Sequence, residues 1–132
     1  MFVLDKTLAR DSEFLADLDL CQLRIIKDSE NPWLLLIPKI EDMVDWSDLD
    51  LQDQLRLTQE IDRCCKFLKS TVNPDKLNVA SLGNQVPQLH IHIIARFKND
   101  RAWPGPIWGT KAKTGVKEEF LETWMKLFAD NF

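Results

Sequence analysis

The most regular pattern of polar and apolar residues lies in the segment Gln88–Phe97, where the two classes almost alternate. Because successive side chains of a β-strand point to opposite faces, this pattern predicts a strand with one wholly apolar face. The apolar face consists of Leu89, Ile91, Ile93, Ala95 and Phe97. The other face carries Gln88, His90, His92, Ile94 and Arg96. The strand therefore presents a row of polar groups spaced roughly 6.5–7 Å apart.

Apolar spacing elsewhere predicts three helices and three more strands. The helices are a short one over 7–18, a long one over 47–72 with Ser47 as its N-cap, and a last one from Thr114 or Gly115. The strands cover 20–27, 33–37 and 76–82, and turns rich in glycine, proline and asparagine separate them. The length of 132 residues fits a single domain over 1–132.

Composition excludes several classes of protein. The net charge of −4 argues against broad affinity for nucleic acid. No apolar run is long enough to cross a membrane, and the first residues lack the features of a signal peptide, so we expect a cytoplasmic protein. Three cysteines do not make a disulfide framework; they suit either a metal or redox site or small buried side chains.

Charge is uneven along the chain. From Arg96 to Lys117 there are six basic residues and a single acid, Asp100, directly after the predicted histidine strand. This segment either creates a positive field that favours a small anionic ligand or forms a solvated loop with several lysines.

The pair His90 and His92 allows three interpretations. The two imidazoles could bind one metal ion, although a catalytic zinc site usually takes three protein ligands and no third histidine exists. A neutral imidazole could instead attack phosphorus, with neighbouring groups fixing its tautomer and binding the phosphoryl oxygens. Both histidines could also be polar residues on a solvated sheet face.

The segment Gln88-Leu89-His90-Ile91-His92-Ile93-Ile94 resembles the signature of the histidine triad (HIT) family, His-φ-His-φ-His-φ-φ, in which φ is apolar. The resemblance covers most of residues 20–109. It includes Leu35-Leu36-Ile37-Pro38-Lys39, the helix over 47–72, Asn78, the turn Gly83–Val86 and Trp103-Pro104-Gly105-Pro106.

The resemblance implies an α+β fold around a five-stranded antiparallel sheet, with one long covering helix and a C-terminal helix. It also implies a homodimer and a small-molecule nucleotide as the ligand. Because large exposed aromatic side chains are unfavourable in a monomer, we expect the loop of Trp103 and Trp108 to lie near the interface or the neighbouring site. The implied reaction is hydrolysis or nucleotidyl transfer at the α-phosphate of a nucleoside phosphoramidate or dinucleoside polyphosphate, without a metal or other cofactor.

Residue by residue, His90 matches the nucleophile that would carry a covalent nucleotidyl intermediate. His92 matches the last triad histidine, which is expected to contact phosphate oxygens or the leaving group, and Gln88 completes the catalytic set. Asp28 takes the ribose-hydroxyl role. The residues assigned to nucleotide and phosphate binding are Asn78, Gly83, Asn84, Gln85, Asp28, Arg96 and Trp103.

Two positions depart from the family pattern. Gln88 stands where the first triad histidine is expected, and its amide cannot titrate near neutral pH. Trp33 stands where the family often has a further histidine, and an indole cannot carry a proton on and off. The alternative to an enzyme is therefore a catalytically weakened module of the same fold that binds or senses a nucleotide.

Overall fold

The computed structural model describes residues 1–132 and contains five strands and three α-helices. In chain order these are α1 (Lys6–Asp11), β1 (Ser12–Asp17), β2 (Cys21–Ile26), β3 (Trp33–Pro38), α2 (Leu51–Val72), β4 (Lys76–Ala80), β5 (Ile91–Arg96) and α3 (Glu118–Asn131). A 3₁₀ turn at Trp46–Asp48 precedes α2. The predicted α+β class with one long helix and a C-terminal helix is confirmed.

The strands form one antiparallel sheet in the order β1-β2-β3-β5-β4. A hairpin joins β2 to β3, and β3 then pairs with β5, so that Leu35 lies opposite His92. On its other side β5 pairs with β4, which places Ala80 opposite His92 as well. The histidine strand is therefore an interior strand, held from both sides, and β4 is an edge of the sheet.

The predicted helix over 7–18 is wrong beyond Asp11, because Ser12–Asp17 is the edge strand β1. Its register with β2 shifts between Phe14 and Ala16, where the strand contains an irregularity. An extra residue of this kind breaks the alternation of period two, and the remaining apolar spacing then imitates a helix. The pattern of apolar residues thus did not predict this strand, and only the family resemblance implied a sheet of five strands.

The other observed element boundaries differ from the predicted ones by a few residues. The long helix begins at Leu51 instead of 47, because Asp50 rather than Ser47 is its N-cap and accepts a hydrogen bond from the N–H of Asp53. It ends where Asn73 adopts a left-handed conformation before Pro74. The last helix begins later than predicted, at Glu118, β4 ends at Ala80, and β5 begins at Ile91.

Different elements pack on the two faces of the sheet. The main core lies between one face and the helices α2 and α3, and it includes Leu89, Ile91 and Ile93 of the predicted apolar face. Cys21 and Cys64 belong to this core as free thiols, and burial raises the pKa of Cys64 to about 12, which confirms the small buried side chains expected of them.

The opposite face carries a small apolar cluster, in which Leu8 of α1 packs on Leu35 and Ile37. None of the helices is long and apolar enough to cross a membrane.

Candidate functional site

A cavity of about 790 Å³ lies on the sheet face opposite the two long helices. Its volume is within the range of small-molecule sites. It is lined by α1, the connection from β2 to β3, the start of β3, the turn before β5, the two histidines and the loop after β5. Its lining includes Thr7, Asp28, Trp33, Gly83, His90, His92, Arg101 and Trp108.

His90 has a defined tautomer. Its Nδ1 lies 2.7 Å from the backbone oxygen of Gln88, and a carbonyl can only accept, so Nδ1 carries the proton. The ring is 5% exposed and lines the cavity. In the neutral form of the ring Nε2 is then the nitrogen with the free lone pair, and it makes no hydrogen bond within the chain. A neutral imidazole with a free Nε2 lone pair in a cavity is equipped to act as a nucleophile.

His92 has the opposite tautomer. The indole N–H of Trp33 donates to its Nδ1 at 2.9 Å, and its Nε2 lies 3.0 Å from the backbone oxygen of Leu82, to which it donates. Burial lowers the pKa of His92 to about 4, and the neighbouring His90 adds to this effect. His92 is therefore neutral near pH 7, and both of its ring nitrogens are already engaged.

The two imidazoles form part of an aromatic cluster with Trp33 and Trp108. The rings of His90 and His92 meet edge to face at 4.9 Å, and Trp108 packs on His92 at 5.2 Å. The indole N–H of Trp108 is buried without a hydrogen-bond partner. The indole N–H of Trp33, which is the only polar group of this side chain, donates to His92.

The turn before β5 approaches His90 closely. A Cβ at Gly83 would lie 2.8 Å from the backbone oxygen of Val86 and 3.3 Å from Cε1 of His90, so only glycine fits there. Asn84 and Gln85 follow Gly83 and also line the cavity. The backbone N–H groups of Gly83, Asn84 and Gln85 make no hydrogen bond within the chain. Such groups can bind an anion next to the imidazole.

The family model described as "HIT domain" matches residues 8–99, which is more than half of the chain. The chain belongs to the histidine triad family. No curated protein matches it.

Three solved structures of bacterial histidine triad proteins resemble this HIT protein over nearly the whole chain. The protein from Bradyrhizobium japonicum is 40% identical with a TM-score of 0.93, covering 98% of this chain and 96% of its own. The protein from Sinorhizobium meliloti is 38% identical with a TM-score of 0.93, covering 99% and 97%. The protein from Marinobacter aquaeolei is 36% identical with a TM-score of 0.91, covering 96% and 92%.

In this HIT protein Asp28 lines the cavity but is not free. Its Oδ2 accepts from Arg101 at 2.8 Å, and its Oδ1 accepts from the backbone N–H of Glu30. Arg101 also contacts the Glu30 carboxylate, and both partners of the Asp28–Arg101 pair are almost fully buried. A ribose hydroxyl at Asp28 would therefore bind an oxygen that already has a partner.

Three residues assigned to nucleotide binding lie outside the cavity of the HIT domain. Arg96 forms a buried ion pair with Asp100 at 2.8 Å, and its other nitrogens donate to the Asn78 side chain and to the Gly105 backbone oxygen. The Trp103 ring packs against the same guanidinium at 5.7 Å. Bonds from Arg96 and from the N–H groups of residues 97 and 102 hold the pKa of Asp100 well below its usual range, and the N–H of Trp103 donates to the same carboxylate. This network fastens the loop after β5.

The two arginines of the basic segment do not contribute to a free positive field. Arg96 and Arg101 both form ion pairs with internal carboxylates, whereas the four lysines of the segment form none. No group of three or more His, Cys, Asp or Glu side chains is arranged to hold a metal ion.

Gln88 also lies outside the cavity lining. Its side chain turns toward the N-terminal segment, where it accepts from the N–H of Asp5 at 2.8 Å and donates to the backbone oxygen of Val3 at 2.9 Å. Only its backbone carbonyl touches the site, through His90.

Sequence reasoning missed the cavity residues of α1 and the role of Arg101. Thr7, Leu8, Arg10 and Asp11 line the cavity although they are more than seventy residues from the motif in sequence. No local signal could have found them, because their proximity depends on the packing of α1 across the sheet. The partner of Arg101 lies 73 residues away.

Proposed function

We propose that this HIT protein binds a small-molecule nucleotide and cleaves it at the α-phosphate through a nucleotidyl-His90 intermediate. The observation that supports this most directly is the tautomer of His90, whose proton is held on Nδ1 by the Gln88 carbonyl and whose Nε2 is free in the cavity. The substrate class is a nucleoside phosphoramidate or a dinucleoside polyphosphate, and the chain acts on its P–N or P–O–P bond.

In the first step Nε2 of His90 attacks the α-phosphorus. An N–P bond forms, and the bond from phosphorus to the leaving nitrogen or oxygen breaks, with the electron pair departing on the leaving group. The proton on Nδ1 stays at the Gln88 carbonyl and stabilises the positive charge that develops on the ring. In the second step water attacks phosphorus and releases a proton to the solvent, and the N–P bond breaks with its electron pair returning to Nε2, so that a nucleoside monophosphate and a free imidazole result.

The unpartnered N–H groups of the turn at Gly83, Asn84 and Gln85 are suited to the phosphoryl oxygens. Fixed donors of this kind act on the charge that grows in the transition state, and the loss of one donor can cost on the order of 10²–10³ in rate. Gly83 is the residue that lets this turn lie against His90.

Neither His92 nor Gln88 is suited to protonate the leaving group. Both nitrogens of His92 are engaged and its pKa is lowered to about 4, so it supplies no proton near neutral pH. Gln88 is bonded to the N-terminal segment and cannot titrate. This observation favours a second candidate, a nucleotide-binding or sensing module with weak turnover.

A homodimer and a cytoplasmic location are further parts of the proposal. The unpaired edge of β4, with Val79 42% exposed, is available to a second copy. Trp103 and Trp108 contact Arg96 and His92 of their own chain and stay partly exposed, and their place near the interface or the neighbouring site remains part of this proposal. Sedimentation at micromolar concentration tests the dimer, and a clean monomer would exclude it.

The test of the reaction is a turnover screen of wild type and His90→Ala against adenosine phosphoramidate and diadenosine polyphosphates, followed by chromatography. Intact-mass measurement after rapid acid quench should detect a nucleotidyl adduct in the wild type and none in His90→Ala. Equal turnover by both proteins would refute the mechanism. Thermal stabilisation of the wild type by these compounds, without consumption, would select the binding module.

A further inference from the structure

The side chain of Gln88 bridges two backbone groups of the N-terminal segment. Its oxygen accepts from the N–H of Asp5 at 2.8 Å and its nitrogen donates to the carbonyl of Val3 at 2.9 Å. A neutral amide carries a donor and an acceptor side by side, so it pairs with a backbone in the manner of a neighbouring strand. A carboxylate of the same size can only accept, and an apolar side chain makes neither bond.

The same segment forms one side of the cavity. We define residues 2–11 as the N-terminal wall. Asp5 caps α1 by accepting from the N–H groups of Thr7 and Leu8. Leu8 is 6% exposed and packs in the small apolar cluster, to which Phe2 and Leu4 also contribute. The wall supplies Thr7, Leu8, Arg10 and Asp11 to the cavity lining.

The far end of the wall has its own anchor. Arg24 donates to the backbone oxygen of Ser12 at 2.8 Å and to its hydroxyl at 2.6 Å, directly after α1. The wall is therefore fastened by Arg24 at its end and by Gln88 near its beginning. A six-residue helix has little stability of its own, so its position depends on such contacts.

We propose that Gln88 is a positioning residue that fastens the N-terminal wall beside His90, and that the wall controls access to the nucleophilic nitrogen. Gln88 contacts two sides of the cavity. Its side chain bonds to the N-terminal wall, and its backbone carbonyl accepts from Nδ1 of His90 and so fixes the tautomer of that ring. The Gln88 amide, at the first triad position, therefore shapes the site. This role goes beyond the proposed function and does not depend on whether a nucleotide is cleaved.

The test compares wild type with Gln88→Leu and Gln88→Glu, and uses Gln52→Leu as the control, because Gln52 is an exposed residue of α2 whose side chain makes no hydrogen bond. The first readout is hydrogen exchange at the amide of Asp5. The second is the rate at which diethyl pyrocarbonate modifies each histidine, followed by peptide mass spectrometry. This probe attacks a free imidazole nitrogen and needs no substrate, so failure of the proposed function leaves the test intact.

Loss of both hydrogen bonds should speed exchange at Asp5 and modification of His90 by about tenfold in Gln88→Leu, because the wall opens more often. Gln88→Glu should give a smaller increase, since the carboxylate still accepts from Asp5 but opposes the Val3 carbonyl. His92 is the internal control, because its two nitrogens are engaged elsewhere, and its rate should not change. The ¹⁵N shifts of His90 should still report the Nδ1–H tautomer, because every variant keeps the backbone carbonyl.

Two results would overturn the proposal. The first is wild-type modification of His90 in both Gln88 variants, even where exchange at Asp5 is faster, because the Asp5 amide donates directly to Gln88 and its exchange alone does not report access to His90. The second is an equal acceleration at His90 and His92 in both variants, which would mean that Gln88 supports the whole fold and not the wall. If Gln88→Leu does not fold, Gln88→Glu alone decides between these results and the expected one.

Discussion

Burial of His92 should make the fold sensitive to mild acid. The side chain is 7% exposed, and its pKa is lowered from 6.5 to about 4, first by burial and then by the nearby His90, against the opposing effect of the bond to the Leu82 carbonyl. The bond from Trp33 works in the same direction as burial, because protonation of Nδ1 would place two N–H groups against each other. The folded protein therefore resists a proton that the unfolded chain accepts.

The sign and size of the effect follow from linkage. Above pH 6.5 neither state binds the proton, and His92 imposes no penalty on folding. As the pH falls below 6.5 the unfolded state gains the proton first, so stability is lost progressively until the folded state also titrates near pH 4. Between pH 7 and pH 5 the loss in free energy of unfolding attributable to His92 is about 2 kcal/mol.

Urea unfolding at pH 7 and pH 5 measures this loss, with His92→Gln as the matched variant. All other titrating groups are present in both proteins, so the difference between the two pH dependences isolates His92. The wild type should lose about 2 kcal/mol more than His92→Gln over this interval. Trp33→Phe should lose less than the wild type, because without the indole N–H the pKa of His92 rises. Equal losses in the wild type and His92→Gln would refute the reasoning.

Two further predictions concern the frame of the site. Gly83→Ala should lower stability by about 1–3 kcal/mol and reduce any nucleotide turnover, because the added Cβ meets the rigid backbone oxygen of Val86; thermal unfolding with an activity assay checks both effects. Asp100→Asn should destabilise by about 3 kcal/mol in urea unfolding, because it leaves Arg96 buried and without its charge partner, whereas Asp62→Asn, at an exposed helix ion pair, should change stability by less than about 1 kcal/mol.

The histidine strand is the part of the fold that the sequence predicted best. Alternation over Gln88–Phe97 placed Leu89, Ile91 and Ile93 in the core and both histidines on the cavity side, as observed. A strand that is fully paired on both sides keeps a strict period of two, so its pattern is easy to read. The edge strand β1 was misread because a register shift breaks that period.

The candidate site was predictable only where it is local in sequence. The turn from Gly83 to Gln85 and the pair His90 and His92 lie within ten residues, and the structure brings them together in one cavity. Asn78, Arg96 and Trp103 are near the motif in sequence, yet they form a separate network around a buried ion pair that also holds the loop after β5. Sequence proximity cannot distinguish a ligand contact from an internal one.

The sequence by itself determined the family, the antiparallel α+β architecture and the identity of the candidate nucleophile, because these depend on residue type and short-range spacing. Only the tertiary structure decided the protonation of the histidines, since that depends on a carbonyl facing His90 and an indole facing His92. It also decided the hydrogen-bond partners of Gln88, whose side-chain amide bonds to residues 83 and 85 positions away. Hydrogen-bond partners so distant along the chain are chosen by packing, which no local pattern encodes.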